Sequence, residues 1–269
     1  MKLTILTDNN VPLDSPCCGE AGFCCYLEDG DSRILLDTGF SDVCVRNAEK
    51  LGIDLRALDA VVLSHGHDDH SGGLRCLPRA AGRPRLIAHP DAFRPKRWEG
   101  GGESIGLPVS RAWLEERYEL CPTAEPLFLT DRLAFLGQIP RTQPFEEEYT
   151  LGETLTDAGW QPDRMADDSA LAYRGREGLT IITGCSHSGI CSVVAYAKRI
   201  WGEDRIAGVI GGFHLREPGP RVQRTAEYLR DLHAKRMCPC HCTSFAARAA
   251  IHRLVPVEEA GAGTQMEIE

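Results

Sequence analysis

The sequence predicts an α/β protein whose sheets, mixed in strand direction, carry helices on their outer faces. Three observations predict it. Short apolar or alternating runs come first and pair as hairpins; later runs alternate with amphipathic stretches of helical period; and no apolar run approaches the roughly 20 residues of a membrane span. The 269 residues suffice for one large domain or two small ones. With neither a repeat nor a low-complexity linker to divide them, one domain over residues 1–269 is the economical reading.

The chain opens on Lys2–Thr7, an alternating strand. Gly22–Glu28 and Arg33–Asp37 flank the turn residues Glu28-Asp29-Gly30-Asp31 and read as a hairpin. Val43–Leu51 has a helical pattern that stops at Gly52. Strand-like runs follow at Ala60–Ser64 and Arg85–Ala88. From about 90 to 150 the pattern loosens, with Gly100-Gly101-Gly102, many prolines and two of the four tryptophans around a short run at Leu133–Leu136. A long irregular segment in a compact domain is expected to cover a substrate. Beyond it, strands at Ala170–Tyr173, Leu179–Thr183, Ile206–Ile210 and near Met237–Cys240 alternate with helical patterns at Ile190–Ile200, Val222–His233 and Ser244–Leu254.

Lys and Arg total 30 against 39 Asp and Glu, a net charge of −9 that repels nucleic-acid backbones and anionic membranes. No basic run offsets it, so neither is expected as a partner. The alternating N-terminus is not a signal peptide, and a cytoplasmic location is expected. Twelve cysteines then read as free thiols or metal ligands rather than disulfides. The adjacent pairs Cys17-Cys18 and Cys24-Cys25 are spaced awkwardly for one ion and read as plain thiols.

The main signal is Val61-Val62-Leu63-Ser64-His65-Gly66-His67-Asp68-Asp69-His70-Ser71-Gly72-Gly73. An apolar strand runs into three imidazoles and two carboxylates within six positions. These are donors that zinc favours, with iron or manganese as alternatives. Gly66 lets His65 and His67 turn toward one ion, leaving Asp69 and His70 for a neighbour. Imidazoles crowded against an apolar strand are costly unless something satisfies them.

His-x-His-x-Asp-His after an apolar strand resembles the signature of the metallo-β-lactamase superfamily. The likeness extends through Leu35-Leu36-Asp37-Thr38-Gly39, Thr183-Gly184-Cys185-Ser186-His187 and His241. An opening like Leu6-Thr7-Asp8-Asn9, with the Gly-Cys-Ser-His, Gly-Gly-Phe-His-Leu and Cys-His-Cys segments, is similar to a branch labelled dihydropterin-ribofuranosyl-aminobenzene phosphate synthase, a methanopterin-precursor synthase. The resemblance implies a four-layer αββα sandwich with two divalent metal ions at one edge between the sheets. It implies that His65 and His67 hold the first ion, that Asp69, His70 and His241 hold the second, and that Asp37 orients a histidine through its ring N–H.

Two departures stand out. No histidine lies between His89 and His187, where the superfamily usually supplies its next ligand, and Cys185 stands where a bridging aspartate is usual. His187 is the expected replacement in the first site, with His89 as the fallback. Cys185 is either a ligand or a small buried residue. His214, after two glycines, is a candidate ligand or proton donor. His233 and His252 fall on amphipathic patterns and are expected in solvent. Strand alternation would turn Cys240 and Cys242 away from the ion that His241 holds.

These residues point to metal-assisted hydrolysis of a small ester, phosphoester or lactone, with Asp69 orienting water or accepting its proton. An anionic substrate is expected, held by Lys96, Arg97 or Arg141. The alternatives are a synthase activity like that of the branch, a non-catalytic binder of a small ligand, and a di-iron redox protein, although the chain has no room for a flavin domain.

Overall fold

A computed structural model of the chain describes residues 1–146 and 150–269. Its strands are β1 (Lys2–Thr7), β2 (Cys24–Asp29), β3 (Ser32–Leu36), β4 (Ala60–Val62), β5 (Arg85–Ala88), β6 (Lys96–Arg97), β7 (Glu119–Pro122) and β8 (Leu127–Phe128). They continue with β9 (Leu133–Phe135), β10 (Glu153–Thr156), β11 (Gly159–Pro162), β12 (Ala170–Gly175), β13 (Gly178–Thr183), β14 (Ile206–Gly212), β15 (Arg236–Cys240) and β16 (Gln265–Glu267). The helices are α1 (Val43–Lys50), α2 (Asp68–Ser71), α3 (Arg111–Arg117), α4 (Ile190–Trp201), α5 (Pro220–Asp231) and α6 (Phe245–His252).

One sheet runs β16-β1-β2-β3-β4-β5-β7 and the other β15-β14-β13-β12-β9-β8. Both mix directions: β3, β4, β5 and β7 are mutually parallel, as are β13, β14 and β15, while the remaining pairs are antiparallel. The apolar pattern explains the layering. Ile34 and Leu36, Val62, Ile182, Ile210 and Cys238 face the partner sheet, and their neighbours Leu35, Val61, Ile181, Val209 and Met237 face helices. Strands apolar on both faces are covered on both faces. Each fully buried Leu or Ile contributes about 1.5–3 kcal/mol over exposure. The outer core of the first sheet holds Cys44 and Ala48 of α1 and Leu114 of α3, and that of the second holds residues of α4, α5 and α6. The result is the four-layer αββα sandwich.

Helix ends follow local chemistry. Gly52, at φ +71°, closes the turn after α1, and Gly202 does the same for α4 at φ +57°. Pro220 opens α5, and Ser244 caps α6 by accepting the Ala247 N–H. None of the helices among the described residues is long and apolar enough to cross a membrane.

The segment at 90–150 is more ordered than its sequence suggests. It supplies α3, β7 at the edge of the first sheet, β8 at the edge of the second, and β6, which joins β10 and β11 in a three-stranded sheet of its own. These elements are short and only partly buried, so they lack the sustained periodicity that sequence reading depends on. Residues 147–149 of that segment lie outside the described residues. The strand β16, which pairs with β1, went unrecognised for the same reason. Cys24 and Cys25 sit on opposite faces of β2, one toward the α1 core and one between the sheets. All twelve cysteines are free thiols.

Candidate metal centre

The C-terminal ends of β1, β3, β4, β13, β14 and β15 deliver Asp8-Asn9, Asp37, His65–His70, Cys185–His187, His214 and His241 to one edge of the sandwich. Close backbone approach there demands glycine. A Cβ on Gly66 would stand 2.3 Å from the Ala92 carbonyl oxygen, and one on Gly184 would stand 2.1 Å from Ser64 Oγ. Gly66 is therefore needed for lack of space, not for a left-handed turn. Asp37, Ser186, His214 and His241 do adopt left-handed φ between 47° and 57°, strain typical of a functional site.

Two clusters of donor atoms form. In the first, His65 Nε2 stands 3.1 Å from His67 Nδ1 and 3.3 Å from His187 Nε2. In the second, His70 Nε2 stands 3.1 Å from His241 Nε2, and Asp69 Oδ2 lies 3.6 Å from each. Cys185 Sγ is 3.3 Å from both His70 Nε2 and His241 Nε2, and its sulfur also groups with His65 and His187, so it stands between the clusters.

Hydrogen bonds fix the ring orientations. Asp37 Oδ2 accepts from His70 Nδ1 and from Ser64 Oγ, each at 2.7 Å, and Asp37 Oδ1 accepts the Ser64 N–H at 2.7 Å. With its proton committed to Asp37, Ser64 Oγ accepts from His65 Nδ1 at 3.0 Å. Asn9 Oδ1 accepts from His241 Nδ1 at 2.8 Å, while Asp8 Oδ2 takes the His241 backbone N–H. In their neutral forms His65, His70 and His241 would then aim Nε2 lone pairs at the other candidate ligand atoms. Ring nitrogens facing at 3.1–3.3 Å need a proton or a metal cation between them. A tetrahedral zinc site with Zn–N bonds of about 2.0–2.1 Å puts its nitrogens about 3.3–3.4 Å apart. The donor set and spacing fit such an ion.

The electrostatics agree. Burial, reinforced by the neighbouring rings, holds His65 and His187 well below the ordinary imidazole range. Burial also takes His67 down to about 4. Neutral imidazole is the ligating form. Burial would lower His70 as well, but the Asp69 and Asp37 carboxylates outweigh it and raise that group to about 9. Burial opposes ionisation of Asp69, yet His70 and His241 hold it below the usual carboxylate range. The second cluster calls for positive charge. Burial pushes the Cys185 thiol well up, so its sulfur is a thiol until a cation draws off the proton.

Other residues fall out differently. His89 is buried, its Nδ1 accepts the Asp91 N–H at 3.1 Å and caps a turn, and it joins none of the donor groups found among the described residues. His214 is half-buried, its ring centroid 4.4 Å from that of His187, and its ligand atom groups with those of Cys185 and Cys242. His252 and His233 are exposed, the latter two residues beyond the end of α5.

Cys240 keeps to the inter-sheet core, but Cys242 does not turn away. The strand ends at Cys240, and the left-handed His241 breaks the alternation, bringing Cys242 Sγ within 3.2 Å of the His214 amide. The cations expected to hold an anion each have protein partners. Lys96 is buried between Asp163 and Asp167; Arg97 pairs with Glu153 at 2.7 Å and stacks on Trp160; Arg141 bonds the His187 and Arg164 carbonyls. Sequence reasoning missed Asn9, Ser64 and Asp167 as partners of the cluster. Only the opening Asp8-Asn9 gave a signal, without a role attached.

The metallo-β-lactamase superfamily profile matches residues 19–200. The chain is 33% identical over 87% of its length to the uncharacterized protein MJ0448 of Methanocaldococcus jannaschii, covering 88% of that protein. It is 30% identical over 92% of its length to the 7,8-dihydropterin-6-methyl-4-(β-D-ribofuranosyl)-aminobenzene-5′-phosphate synthase of the same organism, covering 89%. Among solved structures, Tm1679, described as a metal-dependent hydrolase of the β-lactamase superfamily, superposes with a TM-score of 0.85 at 28% identity over 100% of this chain and 99% of its own. A matched profile over more than half the chain, set on this αββα sandwich and its histidine cluster, shows that the chain belongs to the metallo-β-lactamase superfamily.

Proposed function

We propose that the protein is a metal-dependent hydrolase with two ion sites. His65, His67 and His187 would hold the first ion; Asp69, His70 and His241 would hold the second, with Cys185 placed between them. Zinc suits this mixed imidazole, carboxylate and thiolate set, with iron or manganese as alternatives. Bound there, the ions would supply an activated water and a counter-charge for a developing oxyanion.

The chain's own residues do the rest. Asp37 and Asn9 hold the rings of His70 and His241 in the tautomers that ligate. Asp69 keeps its side chain about a third exposed, at the mouth of the cluster, where it can orient water or take its proton. His214, half-buried beside His187, is placed to give a proton to a leaving group. The substrate is proposed to be a small ester, phosphoester or lactone.

The observation that carries this reading is the set of buried imidazole nitrogens facing one another across 3.1–3.3 Å, with the Asp69 carboxylate and Cys185 sulfur beside them. Elemental analysis, followed by turnover of an ester, phosphodiester and lactone panel by wild type and Asp69→Ala, tests it. Two metal equivalents and turnover lost in the variant are expected. Absence of metal, or turnover unchanged in the variant, refutes it. The 30% identity to the dihydropterin-linked synthase favours a second reading, a synthase reaction at the same centre. Formation of the product in that relative's name, with no hydrolysis across the panel, would favour it.

A further inference from the structure

A buried charge cluster adjoins the metal centre. Lys96, 1% exposed, ion-pairs with Asp163 and with Asp167 at 3.2 Å. Asp167 Oδ2 accepts the Gly66 N–H at 2.8 Å, the amide between His65 and His67. The adjacent Asp168 accepts the Ser188 N–H at 2.8 Å, the amide that follows His187. The Ser169 N–H then bonds the Ser64 carbonyl at 2.8 Å. One short stretch, 167–169, thus grips two loops whose histidines are 122 positions apart in sequence.

Burying a lone ammonium or carboxylate costs several kcal/mol, so such groups persist when paired. Here the pairing has a directional consequence. A carboxylate accepting an amide N–H fixes that amide's position, and consecutive residues of one loop cannot drift apart. The two anchored amides therefore have a set separation, and with it goes the 3.3 Å gap between His65 Nε2 and His187 Nε2. His70 and His241 take their partners from Asp37, Asn9 and Asp8 instead.

We infer that Asp167 and Asp168, with Lys96 as counter-charge, are positioning residues that set the spacing of the His65/His67 loop against His187 and so tune the first ion site selectively. The inference rests on the two-ion reading above. Cobalt(II) titration in the presence of a competing chelator tests both separately. Wild type is expected to take up two equivalents, one removed by His187→Ala and the other by His241→Ala. In Asp167→Asn and Lys96→Met the equivalent sensitive to His187→Ala weakens about 10–100-fold, and the other holds within about threefold. Should Lys96→Met fail to fold, Asp168→Ala, which strands no cation, carries the same expectation. If wild type binds no cobalt, the two-ion reading falls and takes the inference with it. If wild type binds two equivalents and folded variants weaken both alike, or neither, the inference alone is overturned.

Discussion

Replacing Asp37 by asparagine strikes a carboxylate that bonds His70 directly and His65 through Ser64. It is fully buried, and its Oδ2 accepts from His70 Nδ1 and Ser64 Oγ, both at 2.7 Å. An amide nitrogen at that position presents donors to two donors. If the amide flips, the same conflict moves to the Ser64 N–H, now bonded to Oδ1. A hydrogen bond to a charged group contributes about 1.5–3 kcal/mol, so losing two costs the metal-free fold about 3 kcal/mol or more.

The effect on ligation reaches further. His70 loses the acceptor that keeps its proton on Nδ1, and Ser64, released from Asp37, no longer has to accept from His65. Both ion sites should therefore weaken, each by about 10–100-fold, or about 1.4–2.7 kcal/mol. Chelator competition with cobalt(II) on protein verified as folded by circular dichroism measures this directly. Wild-type affinity at both equivalents in Asp37→Asn would refute the tautomer argument and with it the account of why these lone pairs converge.

Cys185→Ser should abolish the sulfur-to-cobalt charge-transfer absorption of the loaded protein, because Cys185 is the sulfur 3.3 Å from the His70 and His241 nitrogens proposed as ligands. An intact band would place Cys185 among the buried bystanders. In metal-free protein His70 is raised to about 9, so its contribution, about 3 kcal/mol, is full below an imidazole's ordinary 6.5 and lost as pH climbs through about 9. His67, lowered to about 4, contributes above 6.5 and loses that as pH falls toward 4. Thermal melts with chelator should thus peak near neutrality and drop by roughly 6–12 °C toward pH 9, while metal-loaded protein stays flat there. Matching profiles with and without metal would contradict the assignment.

The strands with the longest apolar runs were the legible part of the fold. Arg85–Ala88 and Lys2–Thr7 are found at the predicted residues, and Ile206–Gly212 begins where expected and runs two residues further. Both faces of most such strands are buried, so every position carries signal. The strands β7, β8 and β16 are half-exposed and two to four residues long. Their place is decided by the neighbour they pair with, which the local sequence does not contain. Trp98 and the prolines around it read as irregular because the order there is also tertiary: the neighbouring Arg97 stacks on Trp160 across 63 residues of chain.

The centre divides along the same line. His65, His67, Asp69 and His70 share one short stretch that runs from the end of β4 into α2, so their convergence is a local property and shows in their spacing. His187, Cys185 and His241 arrive from the second sheet, and only chemical type and family likeness singled them out. Cys242 shows why periodicity fails at this edge. Period-two alternation holds while the backbone stays extended, and His241 leaves that region at φ +47° exactly one residue after the strand stops. A non-glycine residue in that conformation costs about 1–3 kcal/mol, which the hydrogen bonds from its own N–H to Asp8 and from its ring to Asn9 offset. Both partners lie more than 230 residues upstream. The turn that aims the ligand is therefore written at the two ends of the chain at once, and neither end discloses it alone.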